Sequence, residues 1–187
     1  MFKSVALLAT LLFTQFSLAQ QGNAKAFVSL NPAGDFVANL KSTGSAQMAG
    51  GKVSAKSIVI DMKSLSTGLD LRDDHAKNKY LEVGKYPEAV LTDATGENGK
   101  GQGKLKFHGK ENPVTGTYTI QGGKTLQAEF KIKLSDYGIS DISYKGIGVE
   151  DLVKIEVVVP VMAAAPAAAK PATPVNAAPA VKKPIKK

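Results

Sequence analysis

The chain has 187 residues, no Cys, no Trp, two His and a formal charge of +8. Without Cys there can be no disulfide framework, thiolate nucleophile or thiolate metal site, and two His cannot build a three-His metal centre. The excess charge sits at the ends, on Lys3, Lys170, Lys182, Lys183, Lys186 and Lys187; removing these six from 24 cations leaves 18 against 16 acids, about +2, so the middle of the chain carries no nucleic-acid signature.

Residues 1–19 combine a basic start (Met1-Phe2-Lys3) with an apolar run from Val5 to Leu18 and a Ser17-Leu18-Ala19 small-x-small site. This pattern predicts a signal peptide cut after Ala19 and a periplasmic or secreted mature protein. The apolar run is shorter than the ~20 residues needed to span a bilayer. Residues 20–24 form a short lead, and 25–162 read as one folded domain.

Within that domain, Lys25–Asn31 predicts a strand, Pro32-Ala33-Gly34-Asp35 a turn and Phe36–Lys41 a second strand. Ser42–Lys52 is small and Gly-rich and reads as a loop or a poorly ordered hairpin. Val53–Met62 is a long strand, and Ser64–Gly68 carries turn chemistry. Arg72–Pro87 (RDDHAKNKYLEVGKYP) is the polar interruption, with the only Arg in the chain, and predicts a short helix at about 70–80. Strands follow at Ala89–Thr95, Gly103–His108 and Val114–Gln121, separated by turns at 96–101 and 109–112.

Gly122-Gly123 predicts a tight hairpin into the clearest alternation in the chain. Leu126, Ala128, Phe130, Ile132 and Leu134 alternate with Gln127, Glu129, Lys131 and Lys133. A period of two places the apolar set on one face. Val153, Ile155, Val157 and Val159 repeat the pattern in the last strand. From Ala163 the composition falls to Ala, Pro, Lys and Val, which predicts a disordered tail over 163–187. Its Lys182, Lys183, Lys186 and Lys187 suit electrostatic association with an anionic envelope surface.

About eight short strands, each with one apolar face, predict an all-β antiparallel sandwich or barrel. Periodicity does not separate the two. No catalytic set emerges: His75 has Asp73 and Asp74 beside it, but no nucleophile elbow occurs, and the glycines 99, 101 and 103 lie in a hairpin, not in a phosphate loop. His108 has the parity of Lys104 and Lys106 and reads as exposed or turn-supporting. His75 and His108 show no metal-ligand spacing, so neither an enzyme nor a metal protein is expected.

The ordered motifs Ser66-Thr67-Gly68, Arg72-Asp73-Asp74-His75, Lys85-Tyr86-Pro87, Leu105–Val114, Asp136-Tyr137-Gly138-Ile139 and Val149–Ile155 resemble the YceI-like proteins over about Lys25 to Val161. That resemblance implies an eight-stranded lipocalin-like barrel whose apolar lumen binds a polyisoprenoid or isoprenoid-quinone lipid, with no other cofactor. It implies lumen contacts at Phe36, Ile58, Ile60, Phe107, Phe130, Ile132, Leu134, Ile155 and Val157. Polar head contacts are expected at Arg72, His75 and Tyr86. Ser42–Lys52 is shorter and more Gly-rich than the family's long hairpin, which predicts a thin or open wall there. The alternative is an envelope interaction module working through the basic tail.

Overall fold

The computed structural model describes residues 20–144 and 146–163. The expected signal peptide and nearly all of the expected tail lie outside the described residues. The strands are β1 (Gln21–Asn31), β2 (Asp35–Gly44), β3 (Ala46–Ala49), β4 (Lys52–Ser66), β5 (Glu88–Glu97), β6 (Lys100–Phe107), β7 (Lys110–Gln121), β8 (Thr125–Lys133), β9 (Ser143–Tyr144), β10 (Ile147–Val149) and β11 (Leu152–Ala163). Between β4 and β5 lies the helix α1 (Asp70–Asp74), which runs on as a π-helical turn, His75–Tyr80. A 3₁₀ turn, Leu134–Tyr137, follows β8.

Eight strands close an antiparallel barrel in the order β1-β2-β4-β5-β6-β7-β8-β11, and β11 returns to β1 through Ala24↔Val157 and Ala26↔Ile155. Closure removes the unpaired edges that a sandwich would leave. Every apolar stripe then points inward. Ala24 faces Leu40, Ala26 faces Ala38 and Val28 faces Phe36 across β1 and β2. The alternation on β8 and β11 meets the same way, with Phe130 opposite Ile155 and Ile132 opposite Val153.

Ser42–Lys52 is not an open wall; of the two expected forms, loop or hairpin, it takes the hairpin, with β3 paired to β4. β2 continues to Gly44, and β3 hydrogen-bonds antiparallel to β4 and parallel to β11. The parallel pairing has a simple cause. β1 starts at Gln21, opposite Thr43. Below that point the chain of β2 meets β11 directly, so β3 takes the place that β1 vacates. Gly50 and Gly51, at φ 57° and 80°, make the tight turn back into β4. The small Gly-rich composition hid this element because a four-residue strand of Ala, Gln and Met carries little β signal.

Other boundaries moved outward. β1 begins four residues before the expected start, and β11 carries its pairing with β3 to Ala163. The two-residue turn His108-Gly109, at φ 47° and 78°, replaces the longer expected turn at 109–112. β9 and β10, absent from the expected strands, form a small flap joined to the end of β1 through Leu30↔Val149.

Close strand contact also explains one glycine. A Cβ on Gly116 would lie 2.1 Å from the Glu129 carbonyl oxygen and 2.9 Å from the Phe130 Cβ. Gly84 has nothing within 4 Å and an ordinary φ. Gly116→Ala should therefore cost ~2 kcal/mol or more, as overpacking does, while Gly84→Ala should be near neutral. Urea unfolding of both variants checks this, and equal midpoints would contradict the contact.

An apolar chamber beneath a helical lid

The upper end of the barrel gathers the ends of β1, β4, β6 and β8 and the starts of β2, β5, β7 and β11. Residues 67–87 cross this mouth, carrying α1 and its π turn. Beneath lies a cavity of about 150 Å³. Phe36, Ile60, Phe107, Phe130, Ile132, Leu134 and Ile155 line it, seven of the nine expected lumen residues. Ile58 lines a second cavity of about 80 Å³ nearer the lower end. Val157 is buried core, 1% exposed, and lines neither.

The space exists because one wall is built from small residues. Ala24, Ala26 and Ala38 on β1 and β2, Ala89 on β5 and Ala76 on the lid face the bulky side chains of β6, β8 and β11. These alanines were absent from the expected site. Their signal was present, since Ala24-Ala26-Val28 and Phe36-Ala38-Leu40 keep the period of two. Tyr80, Leu81, Ile142 and Val149 complete the roof, and no sequence pattern brings lid and flap together.

The lid is pinned at both ends. At its start, Thr67 is the knot. Its backbone N–H donates to Asp73 Oδ1 at 2.8 Å, and its hydroxyl donates to the same oxygen at 2.5 Å. Arg72 Nε donates to the Thr67 hydroxyl at 2.8 Å and Nη2 to the Thr67 carbonyl at 3.2 Å. The Arg72 guanidinium also lies 4.2 Å from the centroid of the Phe36 ring, so the single Arg sits at the rim over a chamber residue. At the far end, the Tyr80 hydroxyl donates to the Ser143 carbonyl of the flap at 2.7 Å. The π turn shows as Leu81 N–H bonded to the Ala76 carbonyl, five residues back.

His75 is half-buried on the lid, and Leu69 and Leu71 are exposed at its start. Tyr86 lies away from the chamber. Its ring packs on Gly109, where a Cβ would come within 2.8 Å, and sits 4.4 Å from the His108 ring. His108 is therefore not exposed: its side chain is 12% accessible. Its Nδ1 lies 3.1 Å from the Tyr137 carbonyl oxygen, and its Nε2 lies 3.3 Å from Glu82 Oε2, at ion-pair distance but off hydrogen-bond alignment. This cluster ties the exit of the lid to the β6–β7 turn. Among the described residues, no three His, Asp or Glu side chains gather as a metal site, and no helix is long and apolar enough to cross a membrane.

The helix that closes this chamber lies between the third and fourth strands of the barrel, β4 and β5. The model of the YceI-like domain fits residues 16–161. The chain belongs to the YceI-like family. Two solved structures share the fold. One is a polyisoprenoid-binding domain from Saccharophagus degradans implicated in plant cell wall breakdown: 14% identity, 75% of this chain and 96% of that chain covered, TM-score 0.52. The other is BcnA of Burkholderia cenocepacia: 20% identity, 72% and 94% covered, TM-score 0.57. No curated protein sequence matches significantly.

Two predictions concern the knot. Arg72→Ala breaks two hydrogen bonds and the ring contact, and should lower stability by about 1–3 kcal/mol; Leu71→Ala, at an exposed position of the same helix, should leave the melting temperature within a degree or two. Thermal melts of both variants test the difference. The second concerns acid. Burial pushes the Asp73 carboxyl up, but the hydrogen bonds from Thr67 and Ser66 and the charge of Lys77 outweigh it and hold the group below its ordinary 3.8. A lowered folded value means that the stabilisation is complete above the unfolded value and is lost as pH falls through the folded one. The lid should thus loosen below about pH 4, and Asp73→Asn should flatten part of the acid limb of a pH–stability curve. Part of it should persist, because bonds from the Ser135 N–H and hydroxyl lower Asp151 in the same direction.

Proposed function

We propose that this protein is an exported, non-enzymatic carrier that holds the tail of a polyisoprenoid or isoprenoid-quinone amphiphile in the barrel, with its head at the lid. The carrying observation is the chamber itself: about 150 Å³, walled almost wholly by apolar side chains and closed by a helix with no fully buried residue. An apolar cavity of this size admits a benzene-sized group, and ligand sites for larger molecules run from ~300 Å³ upward. The chamber as it stands therefore seats the first units of an isoprenoid tail, and a longer tail requires the lid to swing out. The polar knot around Thr67 suits that role, because its bonds are made between neighbours in sequence and can re-form.

Apolar tail burial supplies affinity at about 0.8 kcal/mol per CH₂. It is indifferent to head chemistry, so the head is chosen at the rim. There Arg72 is the one guanidinium, with five N–H donors of which Thr67 takes two. A phosphate or carbonyl oxygen on the ligand matches the rest. The YceI-like family and the polyisoprenoid-binding neighbour support this ligand class. The Ser17-Leu18-Ala19 site supports export, and the lysines of the end segment support contact with an anionic envelope.

Native mass spectrometry of the protein purified from its own envelope should show a mature chain starting at Gln20 and an adduct extractable as an isoprenoid lipid. Ala38→Leu, which fills the chamber, should cut that load at least about tenfold while the fold survives, as small core enlargements usually allow. A lipid-free protein that also takes up no isoprenoid from doped vesicles would overturn the reading.

A further inference from the structure

The lumen is divided. The upper chamber, about 150 Å³, and the lower one, about 80 Å³, share a single residue on their walls, Phe130. Phe130 is 7% exposed and lies at mid-height on β8, between Ile155 on β11 and Gly116 on β7. The lower chamber has the composition of an unfilled space. Ala55 and Ala94 face each other across β4 and β5, and Ala128, Gly101 and Gly103 add no bulk. Its wall continues the apolar surface of the upper chamber, with Ile58, Leu91 and Leu126 at the same inward parity.

We propose that Phe130 is the chain-length ruler of the lumen: it stops an isoprenoid tail at the floor of the upper chamber, and the lower chamber is a tail subsite reached from above only when that ring is removed or displaced. This rests on the lipid-carrier reading above. The physics is steric. Phe130 is the one side chain that both chambers share, and its ring is apolar, so the barrier it presents is one of volume. Burial of additional tail carbons below that ring is as favourable as burial above it. The ring also has little to hold it from the β7 side, where Gly116 offers no side chain.

The test is a double-mutant cycle on the full mature chain with farnesol, geranylgeraniol and longer all-trans homologues as probes, read by native mass spectrometry and competition. Phe130→Ala should move the longest well-bound alcohol up by at least one isoprene unit. Ala55→Leu, which fills the lower chamber, should leave the wild-type length profile unchanged. In the Phe130→Ala background the same Ala55→Leu change should return the profile to that of wild type, a coupling that independent sites would not show. Phe130→Leu should shift the profile in the same direction by less, and it stands in if the alanine variant does not fold.

A folded Phe130→Ala or Phe130→Leu protein with the wild-type profile overturns the ruler, as does a double variant that keeps the longer profile. A wild-type chain that binds none of the alcohols removes the lipid-carrier reading, and the ruler falls with it.

Discussion

The pairing of β1 with β11 is the constraint on which the rest depends. Through Asn23↔Val158 to Phe27↔Lys154, the first strand of the barrel joins the last. Without that seam the molecule would be an open sheet with two unpaired edges and an apolar face in water. With it, the sheet has an inside, and stripes from eight strands meet there. The core residues Ala24, Val157 and Val159, each at most 2% exposed, are buried by closure itself. β3 depends on the same seam, because it occupies the gap between β4 and β11 that β1 leaves at the lower end.

Closure produces a lumen, and side-chain size decides how much of it stays empty. Eight strands leave room for a packed interior or for one small ligand. Alanines on β1, β2 and β5 opposite Phe and Ile on β6, β8 and β11 tip the upper half toward a chamber. Phe130 restores packing at mid-height, and alanine and glycine open the space again below it. The barrel is thus neither a solid core nor an open tube. A cavity carries a cost in lost dispersion contacts, so retaining two of them points to use.

The lid reconciles an apolar chamber with water outside. Its π turn supplies Ala76, Tyr80 and Leu81 to the roof, while the bonds of Thr67 to Arg72 and Asp73 fix the angle at which the chain leaves β4. Strength and mobility are divided between two places. The Thr67 knot is local in sequence, whereas the Tyr80–Ser143 bond reaches 63 residues to the flap. Opening at the flap end would break both Tyr80–Ser143 hydrogen bonds, hydroxyl to carbonyl and N–H to hydroxyl, and leave the knot as a hinge.

Much of this was legible before any coordinates. The period of two on β8 and β11 named the inward residues, and the order of Ser66-Thr67-Gly68, Arg72-Asp73-Asp74-His75 and Lys85-Tyr86-Pro87 pointed to the family. Those signals are local: each depends on neighbours two to a few residues apart. The open wall expected at Ser42–Lys52 is closed by β3, because Gly and Ser report flexibility when pairing partners are unknown, and β3 gains its partners only from β4 and β11. His108 supports the β6–β7 turn, one of its two expected roles, but its burial was hidden for a related reason, since strand parity ends at a turn and Glu82 and Tyr137 enclose it from distant segments. By itself the sequence determined the eight barrel strands, their inward faces and the helical crossing, because these follow from spacing along one chain. Tertiary structure alone decided the seam, the two chambers, the place of Phe130 on both their walls and the packing of Tyr86 on the β6–β7 turn rather than on the chamber. Each of these depends on how far apart side chains lie across the lumen, and that distance is set by closure.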